Sequence, residues 1–206
     1  MNPVHDASNL TVDREFTFHA RDFARVRTLI YERAGISLHE GKQAMVYSRL
    51  SRRLRDTGHP SFESYLQWLE SCGPNQNQQE WQEFVNCLTT NLTSFFREEH
   101  HFHTLAEWLK ARGSKPTRIW CCAASTGEEP YSLAITVAEN LGLHAPVKII
   151  ASDIDTNVLA TAAKGVYPVE RVEKLSVDRL RRFFFKGSGA QAGLVRDEQV
   201  DVAALD

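Results

Sequence analysis

The 206-residue sequence has little uninterrupted apolar chain. No run approaches the roughly 18 apolar residues that a membrane-spanning helix requires, so no membrane insertion is expected. The opening stretch, MNPVHDASNLTVDREF, carries acids early and lacks the basic-then-apolar layout of a secretory signal. Cysteine is scarce: Cys72, Cys87, Cys121 and Cys122 show no framework spacing, which excludes a disulfide-stapled scaffold. Cys121 and Cys122 lie side by side in an apolar run and read as buried thiols. Together these absences point to a reducing, cytoplasmic compartment. A dominant charge is missing too, since the formal net charge is only −2. Residues 1–60 carry ten Lys+Arg against seven Asp+Glu, residues 61–100 one against six, and residues 101–206 thirteen of each. A nucleic-acid partner calls for a concentrated basic face, so none is expected.

What remains, 42% hydrophobic and 24% charged residues, is an ordinary globular mixture with room for one large or two small domains. Residues 20–34 place Phe23, Val26, Leu29, Ile30 and Ala34 at helical spacing, and Gly35 follows as a stop. Residues 41–56 repeat the pattern with Val46, Leu50 and Leu54. Pro60-Ser61 opens a third helix bearing Phe62, Tyr65, Leu66 and Leu69. A polar loop over 71–79 precedes a fourth, marked by Trp81, Phe84, Val85 and Leu88. The first ~90 residues thus read as an all-helical unit.

After residue 100 the character changes. One more amphipathic helix over 101–112 leads to Arg118–Ala123, an apolar run suited to a buried strand, and then to the turn Ser125-Thr126-Gly127. Pro130 suits the first turn of a helix reaching Leu141-Gly142. Val147–Ser152 is a second apolar strand, followed by Asp153-Ile154-Asp155 and another helix to Lys164-Gly165. Strand, helix, strand, helix predicts a parallel sheet with crossover helices. In the tail, Arg179–Lys186 and Leu194–Val200 flank Gly187-Ser188-Gly189 and suggest a small antiparallel hairpin over 182–200, apart from the main sheet. Trp68, Trp81, Trp108 and Trp120 read as core residues.

Open parallel sheets bind ligands beyond the carboxyl ends of their strands. The first such end, AASTGEEP at 123–130, has one glycine rather than a dinucleotide fingerprint. Its carboxylates Glu128 and Glu129 would repel a phosphate and attract a cation. The second end offers Asp153 or Asp155, and a carboxylate there suits a ribose. A ligand with a ribose and a cationic group but no phosphate fits both ends, and S-adenosylmethionine is one. Spacing alone allows a plainer account equally well, with Glu128 and Glu129 as helix-dipole partners and Asp153 or Asp155 as helix caps. His100, His101 and His103 cluster without a Cys or carboxylate set at ligand spacing, so no metal is expected.

Asn91-Leu92-Thr93-Ser94-Phe95-Phe96-Arg97, AASTGEEPYS at 123–132, ASDID at 151–155 and RLSRRLR at 49–55 after KQAMVY resemble the bacterial chemotaxis receptor methyltransferases. The resemblance extends from about residue 20 to the end. It implies an α/β protein: an N-terminal all-helical domain over 1–90, a linker over 91–100 contributing to the cofactor cleft, and a partial Rossmann-like class I methyltransferase domain over 101–206. A small antiparallel β-subdomain is placed at about 182–206. The implied reaction is S-adenosyl-L-methionine-dependent methyl esterification of chemoreceptor glutamates, with S-adenosyl-L-homocysteine as product. By resemblance, Asn91, Thr93 and Arg97 line the cofactor cleft, Ala123 and Glu128 meet the methionine part, and Asp153 holds the ribose. Arg97 is also the candidate catalytic residue, and Asp155 is expected to cap the next helix. Family members continue past this end with further strands, so a truncated chain is expected; a non-catalytic receptor-binding adaptor is the alternative.

At 100° per residue, Lys42, Arg49 and Arg53 fall within about 40° of one another, with Arg52 on the adjoining edge. A charged helix face is commonly just solvated. The acidic helical bundle of the receptors in this family makes these four residues candidates for receptor docking. Some members also tether the receptor's C-terminal peptide as an added edge strand on the β-subdomain, and the GSG loop here resembles theirs.

Overall fold

A computed structural model describes residues 15–71, 77–191, 194–197 and 202–204, which divide into two compact units, Met1–Leu88 and Thr89–Asp206.

The first unit is built from amphipathic helices. α1 (Ala20–Ala34) is entered through a carboxylate of Asp22 that accepts the His19 N–H at 2.9 Å, and it stops at Gly35, whose φ of +66° suits a residue without a Cβ. α2 (Gln43–Thr57) follows a 3-10 turn at Glu40–Lys42 and closes the same way at Gly58. α3 (Phe62–Ser71) and α4 (Gln78–Leu88) complete the unit. The expected loop over 71–79 lies partly outside the described residues, and its last two positions, Gln78 and Gln79, already belong to α4. The apolar stripes read from the sequence converge: Val26, Ile30, Val46, Leu50, Leu54, Phe62, Leu66 and Phe84 are fully buried together. At roughly 1.5–3 kcal/mol per buried large apolar side chain, this core is the main stabilising term of the unit.

The second unit holds two sheets. β1 (Thr117–Cys121) pairs in parallel with β2 (Val147–Ala151) through a crossover helix, α6 (Glu128–Leu141). Leu109 of α5 (His100–Arg112), Ala134 and Val137 of α6, and Ile149 of β2 form the core beside this sheet. α7 (Thr156–Ala162) leads to a short strand, β3 (Val166–Pro168), that the sequence reading did not foresee. α8 (Val177–Phe183) is capped by Ser176, and it claims most of the stretch expected to form the first arm of the tail hairpin. Only β4 (Phe184–Lys186) remains of that arm, paired antiparallel with β5 (Leu194–Asp197). β5 also pairs with β3, so the small sheet has three strands in the order β3-β5-β4. Residues 192–193 and 198–200 of the expected hairpin lie outside the described residues. β6 (Val202–Ala204), expected within the antiparallel subdomain, instead pairs in parallel with β2 and gives the main sheet the order β1-β2-β6.

Two expectations about buried residues fail for one reason, the two-residue period of a strand. Thr117, Ile119 and Cys121 face α5 and α6, while Arg118 and Trp120 point to the opposite face. Trp120 is accordingly 68% exposed. Of the other tryptophans expected in the core, Trp81 is buried and Trp68 packs partly buried against the helical core, while Trp108 on helix α5 is 47% exposed, outside the reach of the strand argument. Cys121 is buried and Cys122, one step on, is exposed.

Candidate functional site

The turn between β1 and α6 carries two left-handed backbone positions, Ser125 (φ +49°) and Gly127 (φ +102°). The first is held by a carboxylate: Asp153, just beyond β2, accepts the Ser125 N–H at 2.8 Å. The second needs glycine on two counts. A Cβ at residue 127 would lie 2.5 Å from the Tyr167 hydroxyl and 3.0 Å from the Ala162 Cβ. That hydroxyl donates to the Thr126 carbonyl at 2.9 Å, so β3 buttresses the turn. Ala123 sits exposed at the mouth of the turn.

Gly127 caps α6, and Glu128 is its first residue, 1% exposed at the positive end of the helix. Its Oε2 accepts the Thr126 hydroxyl at 2.5 Å. Its Oε1 is buried and accepts no hydrogen bond, with Arg171 Nη1 standing 3.4 Å away as an ion-pair partner. A buried carboxylate oxygen without a hydrogen bond costs free energy that a bound donor would recover. An ammonium group is the donor of matching charge. The same Nη1 donates to the Thr93 carbonyl at 3.3 Å. Arg171 therefore links the buried acid to the segment preceding α5, and sequence reasoning missed it. No local pattern could have found a partner 43 positions from Glu128 in a 3-10 turn after an unforeseen strand.

Residues 89–98 form a strap across this end of the sheet. Asn91 donates its side-chain N–H to Asp155 at 2.6 Å, and Thr89 does so through its hydroxyl at 2.8 Å. The Asn91 carbonyl accepts the Ser125 hydroxyl at 3.3 Å. Further along, Phe96 (φ +51°) and Glu98 (φ +55°) flank Arg97 in left-handed conformations unusual for side-chain-bearing residues. The Phe96 N–H donates to the buried Ser132 hydroxyl at 2.9 Å, which donates in turn to the Glu128 carbonyl at 2.6 Å. Arg97 is exposed and closes the strap on itself by donating to the Leu92 carbonyl at 2.8 Å.

The two aspartates after β2 differ in spare capacity. Asp155 is buried and caps α7: Oδ1 accepts from Asn157 N–H and Val158 N–H, while Oδ2 accepts from Thr89 and Asn91. Each oxygen already has two donors, leaving no room for a ribose. Asp153 is half-buried, with Oδ2 accepting from Ser125 N–H and Oδ1 from Asp155 N–H at 2.9 Å. Each of its oxygens keeps a second acceptor position. Beside the turn, burial first and Glu129 second push the Cys121 thiol up to about 12, so it stays protonated and unreactive near neutral pH. Among the described residues no group of three or more His, Cys, Asp and Glu could hold a metal ion.

The four candidate docking residues, Lys42 in the 3-10 turn and Arg49, Arg52 and Arg53 on α2, do not behave alike. Lys42 and Arg52 are exposed. Arg53 is drawn inward: its Nε and Nη2 donate to the buried Glu80 at 3.1 and 2.5 Å, and Nη1 donates to Asp56 at 3.2 Å. Tyr65 donates to Glu80 at 2.7 Å, and the guanidinium of Arg53 is held protonated by its bond to Glu80. Arg49 is half-buried and donates to the Cys87 carbonyl at 3.2 Å. Two of the four expected docking residues are thus engaged within the helical unit, because the pattern on one helix does not reveal the acid and carbonyl supplied by α4.

A parallel sheet with acids beyond two strand ends, one of them buried with an unbonded oxygen, defines a class of small-molecule-binding α/β domain. The relatives make it particular. Residues 21–89 match the description "CheR methyltransferase, all-alpha domain" and residues 91–203 match "CheR methyltransferase, SAM binding domain". The chain belongs to the CheR methyltransferase family. It is 53% identical over 179 residues to a chemotaxis protein methyltransferase of Salmonella typhimurium, covering 86% of this chain and 60% of that protein. Chemotaxis protein methyltransferase 2 of Pseudomonas aeruginosa is 49% identical over 197 residues, covering 94% and 69%. An Escherichia coli chemotaxis protein methyltransferase is 51% identical over 191 residues, covering 89% and 65%. The chain spans about three-fifths to two-thirds of the length of these relatives. Among the described residues no helix is long and apolar enough to cross a membrane.

Proposed function

We propose that the chain binds S-adenosylmethionine at the ends of β1 and β2 and transfers its methyl group to glutamate side chains of chemoreceptors. The observation that carries this reading is the buried Glu128 with its unbonded Oε1, which fits the ammonium of the cofactor. Asp153, with one acceptor position spare on each oxygen, is assigned to the ribose. Ala123 presents its backbone at the mouth of the turn toward the methionine part. Asn91 and Thr93 act through the strap, Asn91 by fixing it to Asp155 and Thr93 by meeting Arg171.

When bound, the cofactor supplies an activated methyl group on a sulfonium. The chain's own residues need only bind and orient. A glutamate carboxylate titrates near 4.3 and is already ionised near neutral pH, so no general base is required. Holding it in line with the methyl group and excluding water are the main contributions expected of the protein. Arg97, exposed at the strap, is assigned both to meeting the bound cofactor and to steering the incoming carboxylate.

The acidic receptor bundle is assigned to the helical unit's exposed Lys42 and Arg52, and a receptor C-terminal peptide to an edge of the β3-β5-β4 sheet. A peptide held there would raise the local substrate concentration to the order of mM. The cytoplasm is the compartment that suits this role.

Calorimetry with S-adenosylhomocysteine tests the cofactor site. The parent chain binds, and Glu128→Ala and Asp153→Ala each lose about 10- to 150-fold in affinity, the equivalent of roughly 1.5–3 kcal/mol. Two variants that bind like the parent would remove the assignment. Receptor binding by a chain that takes up no S-adenosylhomocysteine would favour the adaptor reading instead. Labelled methyl transfer to receptor-containing membranes tests the reaction.

A further inference from the structure

Arg97 is the most exposed candidate in the strap, and its backbone neighbours are both in left-handed conformations. Left-handed φ values at Phe96 and Glu98 persist only where the surroundings over-determine them. The Phe96 ring has two close neighbours. Phe102 of α5 lies 4.9 Å away between ring centroids. The guanidinium carbon of Arg179 on α8 stands 3.8 Å from the ring centroid. Arg179 is itself fixed, since its Nε and Nη2 donate to the two oxygens of Glu139 on α6 at 2.8 and 2.9 Å. Both side chains are about three-quarters shielded from solvent. A guanidinium can do both at once because the fork at its edge meets a carboxylate while its flat face stacks on an aromatic ring. An ammonium can make the ion pair but not the stacked, two-point arrangement.

We infer that Arg179 is a positioning residue for Arg97: clamped by Glu139, it presses Phe96 into its left-handed conformation and so sets where Arg97 presents its charge. This rests on the reading above in one respect, that Arg97 meets the bound cofactor. The sequence gives no hint of the contact, because Arg179 lies 83 positions after Phe96 and faces it only once α8 and the strap are in place.

The test combines two readouts on the 206-residue chain. Hydrogen exchange of the Phe96 amide, which is bonded to Ser132, reports the clamp without any ligand. Calorimetric affinity for S-adenosylhomocysteine reports its consequence. Arg179→Met is expected to speed Phe96 exchange and to weaken binding about 3- to 30-fold. Arg179→Lys recovers only part of either, which simple charge removal would not predict. Glu139→Gln, a milder change on the surface of α6, moves both readouts in the same direction should Arg179→Met fold poorly. In the background of Arg97→Met, adding Arg179→Met costs no further affinity. Losses that add in the double variant, or Phe96 exchange unchanged in both Arg179→Met and Glu139→Gln, overturn the inference. If the parent takes up no S-adenosylhomocysteine, the cofactor reading fails, and amide exchange alone decides the clamp.

Discussion

Among the described residues, each unit buries one glutamate, and the two are treated in opposite ways. Glu80 in the helical unit accepts three hydrogen bonds, two from Arg53 and one from Tyr65, so its charge is matched inside the fold. Glu128 in the α/β unit accepts one, from Thr126, and keeps an oxygen without a hydrogen bond beside Arg171. Burial by itself therefore does not mark a site. The donors around Glu80 saturate it within the fold, whereas Glu128 retains an oxygen that a further donor could satisfy.

The sharpest way to break this contrast is at Glu80. Glu80→Ala leaves Arg53 and Tyr65 facing each other without their shared acceptor, and should lower unfolding free energy by about 2–4 kcal/mol. Urea denaturation measures it, and a loss below about 1 kcal/mol would make the network ornamental. Glu128→Gln is the counterpart. It keeps the shape and loses the charge, so stability should move by less than about 1 kcal/mol while S-adenosylhomocysteine affinity falls at least about tenfold. A large stability loss with intact affinity would recast Glu128 as another Glu80.

The two units can also be compared through their thiols. Cys87 and Cys121 are each pushed up to about 12, chiefly by burial. A raised thiol pKa means that the unfolded chain ionises first as pH rises. The stability these groups contribute is whole below pH 9 and drains away between about pH 9 and 12. Alkylation at pH 8 should label the exposed Cys122 in the folded chain and spare Cys87 and Cys121 until urea is added. Rapid labelling of Cys121 would show that the end of β1 opens on its own. The smallest effect belongs to Lys42 and Arg52. Reversing both should leave stability within about 0.5 kcal/mol, and slow receptor association a fewfold at low salt but not at high salt. The same reversal at Arg53 should unfold the unit before it informs on docking.

The helices of the first unit were legible because their stripes are long and their stops are glycines: Phe23, Val26 and Ile30 ahead of Gly35 leave little choice of face or end. The turn after β1 and the cap at Asp155 were legible for similar reasons, since both are local. Strands of three residues were not. Val166–Pro168 ends in a proline and Val202–Ala204 is three small apolar residues, and each becomes a strand only because a partner strand is there to bond it. The roles of Arg53, Arg171 and Arg179 were illegible for a related reason. A guanidinium reaches far, and its partner is chosen by the tertiary fold rather than by neighbours in sequence.

The placement of β5 between β3 and β4 has a consequence in time. Every residue of the helical core has been synthesised by Leu88, so that core can close while the rest of the chain is still being made. The small sheet cannot, because its central strand arrives only at Leu194–Asp197. At about 5–20 residues per second, the two events are separated by roughly 5–20 s. β3 itself emerges late in that interval, about 26 residues ahead of β5, and then waits roughly 1–5 s with its backbone unpaired, as does Tyr167, which braces the turn at Gly127. The small sheet that braces the Gly127 turn is thus assembled well after the helical core, and a pause between Pro168 and Leu194 would leave a folded helical unit and an unbraced turn.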